Sequence, residues 1–380
     1  MKRILVVFHD SNMYSGATKS MIDLITAWKK EKLIDIVALF PSCGSASQYL
    51  EKIGITVILS KYYNIRVSDN EKNALNYIKG IAKNCISIIG ILKRRKLINS
   101  NYFDYVYTNT GSIYMGYIIS KIFHIKHVWH IREFGREDQN RISYEGEKRF
   151  YKRLNESDII IAISDSLRNY LKTKGVNSQK IHLIYNDVNY EVDRISEEHF
   201  SRDQEILALS CGGIQKNKGH LLAIKAIKKL NESGIKATLY IAGSVNTPYF
   251  KTLKNYVDDN LMNEAIVFCD FVSDMVSLRN KCNVAIIGSS SEAFGRVTIE
   301  AMMNNLLVVG SNAAGTGELI CDMKTGLLFE NNNENSLYEI LSFAYKNKKN
   351  MKEIIRNGHL FALDFSKEKA AKSIATLLLE

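Results

Sequence analysis

The stretch Gly288-Ser-Ser-Ser-Glu292-Ala-Phe-Gly-Arg-Val-Thr-Ile-Glu300-Ala-Met-Met303 decides how this chain is read. It follows the short apolar run Val284–Ile287, the length of a buried strand, and leads into a helical pattern ending near Asn304. Gly295 stands where a backbone must come close to a ligand, and the helix start offers N–H groups that have no intrahelical acceptor. Strand, glycine loop and helix start together make an anion site suited to a phosphate or diphosphate. Glu292 lies in the loop and Glu300 eight positions later on the helix. Carboxylates repel phosphate, so the pair suits hydroxyl groups on either side of it, a ribose at one end and another sugar at the other. The spacing suggests a nucleoside diphosphate sugar. Read alone, the same two residues are equally a solvated helix residue and a cap.

Outward from that stretch, short apolar runs alternate with longer helical patterns, the signature of βα units with parallel sheets. In the first half the runs are Ile4–Phe8, Ile36–Phe40, Thr56–Leu59, Tyr105–Tyr107, His127–His130 and Ile159–Ile163. In the second they are Ile206–Cys211, Ala237–Ile241, Ile266–Phe268, Val284–Ile287 and Leu306–Val309. Amphipathic helices such as Lys19–Lys30 and Leu221–Asn231 lie between them. The polar segment Glu191–Glu205 separates the two series. The reading is an α/β chain of two doubly wound, Rossmann-like domains facing across a cleft. Residues 1–190 form the first and 191–361 the second, with a last helix at about 362–380 that packs back on the first or caps the second. Ligands in such sheets sit at the carboxyl ends of strands.

The chain has 380 residues, 46% hydrophobic and 24% charged, which excludes wholesale disorder and suits two domains. No apolar run approaches the length of a spanning helix, and Ile4–Phe8 is too short for a signal-peptide core. Six scattered cysteines form no Cys-x-x-Cys pair and no zinc spacing, so a reducing cytoplasm is the expected compartment. Charge is unevenly divided. Residues 1–190 hold 29 Lys and Arg against 17 Asp and Glu, so the whole excess of +11 belongs to the first half. That half is expected to face something anionic, unless the excess is simply a solvated lysine-rich surface.

Several further blocks stand in a fixed order. Ser15-Gly-Ala-Thr18 follows the first run, His130-Ile-Arg-Glu133 ends the fifth, and Tyr185-Asn-Asp-Val-Asn189 precedes the junction. Gly212-Gly-Ile-Gln-Lys-Asn-Lys218-Gly219 opens the second half, and Gly315-Thr-Gly-Glu-Leu-Ile-Cys-Asp-Met-Lys-Thr-Gly-Leu-Leu-Phe329 follows the Glu-x7-Glu stretch. Taken together they resemble the retaining GT-B glycosyltransferases of family 4, the group 1 family, over nearly the full length. The resemblance implies transfer of a sugar from a nucleotide-diphosphate donor to an acceptor hydroxyl with retention, in polysaccharide or glycolipid biosynthesis. Carried over position by position, Glu300 would hold the ribose hydroxyls and Glu292 the donor sugar. Backbone N–H groups of Phe294, Gly295 and Arg296 would meet the diphosphate or the sugar. Lys218 would neutralise the leaving group, Gly16 and Ala17 would approach the phosphates, and His130 would position the sugar. The family needs no metal, and no Asp-x-Asp motif is present. Taken singly, Lys218 is also readable as a surface lysine, His130 as a core histidine and Gly16 as a turn. Trp129 and Phe294 read as packing residues.

Two positions depart from the pattern. Gly213 stands where the family has a phosphate-binding arginine, a loss that Lys216 or Arg296 could offset or that could mark an inactive partner subunit. Asp270 stands on a glycine turn, which Asp tolerates. On the acceptor side, Lys93-Arg94-Arg95-Lys96 closes the apolar stretch Ile81–Leu92. This suits either an ordinary helix with a basic end or contact with an anionic membrane, where a lipid-linked sugar acceptor would be reached at the inner face. No nucleic-acid motif is present.

Overall fold

A computed structural model of the protein describes residues 1–69, 73–99, 103–189 and 205–380. The chain divides into two units, Met1–Asp187 with Glu368–Glu380, and Val188–Lys367. The expected junction Glu191–Glu205 lies outside the described residues apart from Glu205.

The first unit contains β1 (Arg3–Val7), β2 (Asp35–Phe40), β3 (Thr56–Leu59), β4 (Arg66–Ser68), β5 (Tyr105–Asn109), β6 (Lys126–Ile131), β7 (Arg141–Ser143), β8 (Ile159–Ala162) and β9 (Ile181–Leu183). Seven of them form a parallel sheet in the order β3-β2-β1-β5-β6-β8-β9, while β4 and β7 pair antiparallel beside it. Helices cover both faces, so central strands bury every side chain, as Ile4 to Val7 do. The helix Gly16–Lys30 buries Met21, Ile22, Leu24, Ile25 and Trp28, the three-to-four spacing its apolar stripe predicts.

The second unit contains β10 (Ile206–Cys211), β11 (Ala237–Ala242), β12 (Ile266–Phe268), β13 (Val284–Ile287), β14 (Leu307–Ser311) and β15 (Leu327–Phe329). They form one parallel sheet, β12-β11-β10-β13-β14-β15. In both sheets the winding reverses beside the first strand: between β1 and β5 in one unit, between β10 and β13 in the other. These are the topological switch points, where strand-end loops diverge and leave room for a ligand.

The expected last helix is shorter than residues 362–380. Residues 362 and 363 finish the helix Lys348–Leu363 of the second unit. A 3-10 turn at Asp364–Ser366 and the left-handed Glu368 (φ 54°) then break it. The returning helix is Lys369–Leu379, and it belongs to the first unit. Ala370, Ala371, Ile374, Ala375 and Leu378 enter that unit's core beside Trp28, whose Nε1 donates to the Ala371 carbonyl at 2.8 Å. Asp187 caps the helix start, its two carboxylate oxygens accepting from the N–H groups of Ala370 and Ala371 at 3.0 Å each.

Candidate active site

In the second unit two strand-end loops meet across the β10/β13 switch point. The loop after β10 passes through a 3-10 turn, Lys216–Lys218, and leaves by Gly219 at φ 73°. A Cβ on Gly219 would lie 2.1 Å from the Gly288 carbonyl oxygen, so glycine there is a steric requirement. The main chains are tied as well, Ser290 N–H donating to the Asn217 carbonyl at 3.0 Å. This brings Lys218 Nζ to 2.7 Å from Glu292 Oε2, both side chains being three-quarters or more buried. Gly295, at φ 97°, caps the helix Arg296–Met303. Gly315 lets the next helix approach, donating its N–H to the Glu292 carbonyl at 2.8 Å.

Glu300 lies on the helix Arg296–Met303 and is buried. Its Oε2 accepts from Arg279 Nη2 at 2.5 Å and its Oε1 from Arg296 Nε at 2.9 Å. Arg279, from the short helix Met275–Asn280, is itself buried. The solvated-helix reading of Glu300 is therefore excluded. Both carboxylates also carry cations, which spacing alone did not reveal. Each carboxylate oxygen accepts more than one hydrogen bond, so hydroxyl acceptance is compatible with these pairs. Near Gly213, Lys216 is exposed, and Arg296 is committed to Glu300. His220, behind this loop, is buried between Ser210 Oγ at 2.9 Å and the Gly213 carbonyl at 3.3 Å. Burial pushes its imidazole down to about 4; the hydrogen bond to Gly213 opposes this, and the Lys218 charge adds a smaller push downward. Asp270 takes the left-handed conformation expected of it (φ 53°), and its carboxylate accepts from the Val245 N–H at 3.0 Å.

In the first unit the switch point lies between β1 and β5. Ser15 precedes the helix that begins at Gly16. Among the described residues a Cβ on Gly16 would meet no atom within 4 Å, and its φ is not positive, so neither a turn nor packing against those residues requires glycine there. The Ala17 carbonyl accepts from Asn109 Nδ2 at 3.0 Å, which bridges the switch point. His130, at the end of β6, is buried. Tyr107 Oη lies 2.6 Å and Arg132 Nη2 3.2 Å from its Nδ1. A guanidinium only donates, so Nδ1 is the acceptor and the neutral ring carries its proton on Nε2. Burial, then the neighbouring Arg132 charge, hold this imidazole well below its ordinary range. Nε2 meets no hydrogen-bond partner among the described residues, so the ring presents a lone N–H donor. Arg132 is the hub that sequence reasoning missed: Nε donates to Asn109 Oδ1 at 2.5 Å and Nη1 to Asn186 Oδ1 at 2.6 Å. It joins three of the sequence blocks. Trp129 packs among aromatic rings with Nε1 donating to the Thr110 carbonyl at 2.7 Å, and Phe294 is buried against Phe365.

Lys93–Lys96 lie elsewhere, exposed where the helix Ala74–Lys93 gives way to the short helix Arg95–Asn99.

Comparison with known proteins identifies the family and the fold. The family described as Glycosyltransferase Family 4 matches residues 15–192, and the one described as Glycosyl transferases group 1 matches residues 191–361. The chain belongs to the group 1, family 4 glycosyltransferases, and its two parallel-sheet units are those of the GT-B fold. An uncharacterized glycosyltransferase of Methanocaldococcus jannaschii is 28% identical over 61% of this chain and 62% of that protein. The N-acetylgalactosamine-N,N'-diacetylbacillosaminyl-diphospho-undecaprenol 4-alpha-N-acetylgalactosaminyltransferase of Campylobacter jejuni is 26% identical over 59% and 60%. These matches thus span about three-fifths of the relatives' length. Anabaena HepE, solved with UDP and glucose, aligns over the whole of both chains with a TM-score of 0.78 at 18% identity, a likeness of fold.

Proposed function

We propose that the protein is a retaining, metal-independent glycosyltransferase. It moves a sugar from a nucleoside-diphosphate sugar to an acceptor hydroxyl in the assembly of a cell-surface polysaccharide or glycolipid. The observation that carries this reading is the convergence of Lys218, Glu292 and the Gly295 helix start at the β10/β13 switch point. Further support comes from relatives named for O-antigen and capsular polysaccharide biosynthesis, and from a structural neighbour that holds UDP and glucose. The Campylobacter name describes a diphospho-undecaprenol-linked acceptor, which supports a lipid-linked one here.

In this reading the bond between the anomeric carbon and the β-phosphate oxygen breaks while a bond to the acceptor oxygen forms on the same face. The acceptor proton passes to the departing phosphate. Negative charge grows on the diphosphate, and Lys218 with the N–H groups of Phe294, Gly295 and Arg296 stabilises it. Glu292 accepts from donor-sugar hydroxyls and favours positive charge developing on the ring. Glu300 accepts from the ribose. Gly16 and Ala17 approach the phosphates, and the Nε2–H of His130 donates to the sugar.

A thermal-shift panel of nucleotide sugars tests donor binding; a ligand at a hundred times its dissociation constant stabilises by about 2.7 kcal/mol. With the donor known, Lys218→Ala and Glu292→Gln should each slow transfer by about 10²-fold or more. Chelator should leave the rate unchanged. Wild-type turnover in both variants would remove this site from the mechanism, and no turnover with any donor would leave an inactive partner subunit.

A further inference from the structure

The helix Ala74–Lys93 is built inside out. Its inward line is Gly80, Asn84, Ser87 and Ile91, with Gly80, Ser87 and Ile91 buried. Contact on that side is close: a Cβ on Gly80 would lie 2.4 Å from the Tyr144 ring, and Asn84 Nδ2 donates to Tyr144 Oη. Ile91 enters the core formed with Leu5, Val7 and Ile119. These contacts fix which side faces outward. On the outward side Leu75, Ile78, Ile81, Ile86, Ile89 and Leu92 are 42–62% exposed. At about 100° per residue they fall within an arc of roughly 140°, opposite the buried line. A solvated helix places polar residues there.

The surroundings of this apolar face are cationic. Lys79 and Lys83 run along one margin, and Lys93, Arg94, Arg95 and Lys96 close the carboxyl end, all exposed. Residues 73–99 contain these six cations and no Asp or Glu. No helix among the described residues is long and apolar enough to cross a membrane.

We infer that this face docks peripherally on an anionic lipid surface, with the aliphatic side chains entering the acyl boundary and the cations meeting headgroup phosphates. A second copy of the chain is a poor occupant: two-fold pairing would set six cations against six with no carboxylate in the segment to offset them. The inference goes beyond the donor chemistry proposed above and touches it at one point, because a lipid-linked acceptor would then be met at the bilayer surface.

Flotation of the full chain with vesicles of 30% phosphatidylglycerol in phosphatidylcholine, against phosphatidylcholine alone, tests it. Binding is expected to the anionic vesicles, weakening as salt rises. Ile78→Asn with Ile89→Asn should reduce binding at least tenfold while melting temperature and donor hydrolysis stay unchanged. Charge reversal at Lys93, Arg94, Arg95 and Lys96 should reduce it by a similar factor. No flotation, equal binding to neutral vesicles, or binding indifferent to both variants would overturn the inference. So would a dimer in light scattering that Ile78→Asn dissociates. Because donor hydrolysis needs no membrane, its loss in wild-type protein would count against the glycosyltransferase reading alone.

Discussion

Glu300 is held by two guanidiniums with almost no water around it, so its charge depends on both partners. Arg279→Met strands a buried carboxylate and is expected to cost about 3 kcal/mol or more of second-unit stability. Thermal unfolding with and without donor separates that loss from a binding defect. His130 gives a second residue-scale prediction. Arg132 and Tyr107 hold Nδ1 as an acceptor, so what counts is the N–H on Nε2. His130→Gln retains a side-chain N–H and should keep at least tenfold more kcat than His130→Leu. Because its pKa is depressed, this ring should impose no acid limb on kcat between pH 6 and 8. The two glutamates stood out in the sequence because a glycine and a strand–helix boundary fix their surroundings locally, whereas Lys218 was singled out only through the resemblance of its block. Arg132 and Arg279 were not. Arginine is solvated by default, and burial of these two depends on acceptors from other segments: Asn109 and Asn186 for one, Glu300 for the other.

Among the elements, the contact between Gly219 and Gly288 sets the distance between the two loops. Gly219→Ala forces a Cβ into the Gly288 carbonyl and strains a positive φ, so the loops must part and Lys218 must leave Glu292. The expected result is weaker donor binding in titration calorimetry, with the Cα-substituted protein still folded by circular dichroism. All eleven strands anticipated from apolar runs form, with ends shifted by no more than two residues. Among the described residues four strands were missed, β4, β7, β9 and β15; each is three residues long, as is β12, but β4 (Arg-Val-Ser) and β7 (Arg-Ile-Ser) carry a single apolar residue and so no apolar run. β4 and β7 also pair across more than seventy residues, which no local pattern encodes. The inverted helix 74–93 was legible only in part. Its apolar run and basic end were visible, but which side faced the sheet depended on Tyr144, a distant residue whose ring Gly80 admits.

For the molecule as a whole, buried histidines set the response to acid. Burial, with a smaller contribution from Lys121, pushes His127 down to about 3, and His220 is down at about 4. Unfolded histidine titrates near 6.5. Below that value the unfolded chain binds protons the native chain refuses, so stability falls as pH drops, by about 2 kcal/mol per histidine at pH 5. Asp10 acts only at stronger acid: burial raises its carboxyl, but the hydrogen bond and charge of His9 and the bonds from Thr18 and Ser15 outweigh that and bring it to about 2. Its contribution is present above about pH 4 and disappears toward pH 2. Melting curves should therefore shift down between pH 7.5 and 5, and His127→Asn should flatten the shift.

The return of residues 369–379 to the first unit has a further consequence for biogenesis. Trp28 and the strands around it emerge from the ribosome early, yet the helix that covers them is translated after the entire second unit. The second unit, continuous in sequence, can condense while the first still waits with an open hydrophobic flank. Chaperone engagement should concentrate on that interval, and a nascent chain stalled at residue 367 should remain protease-sensitive around Trp28.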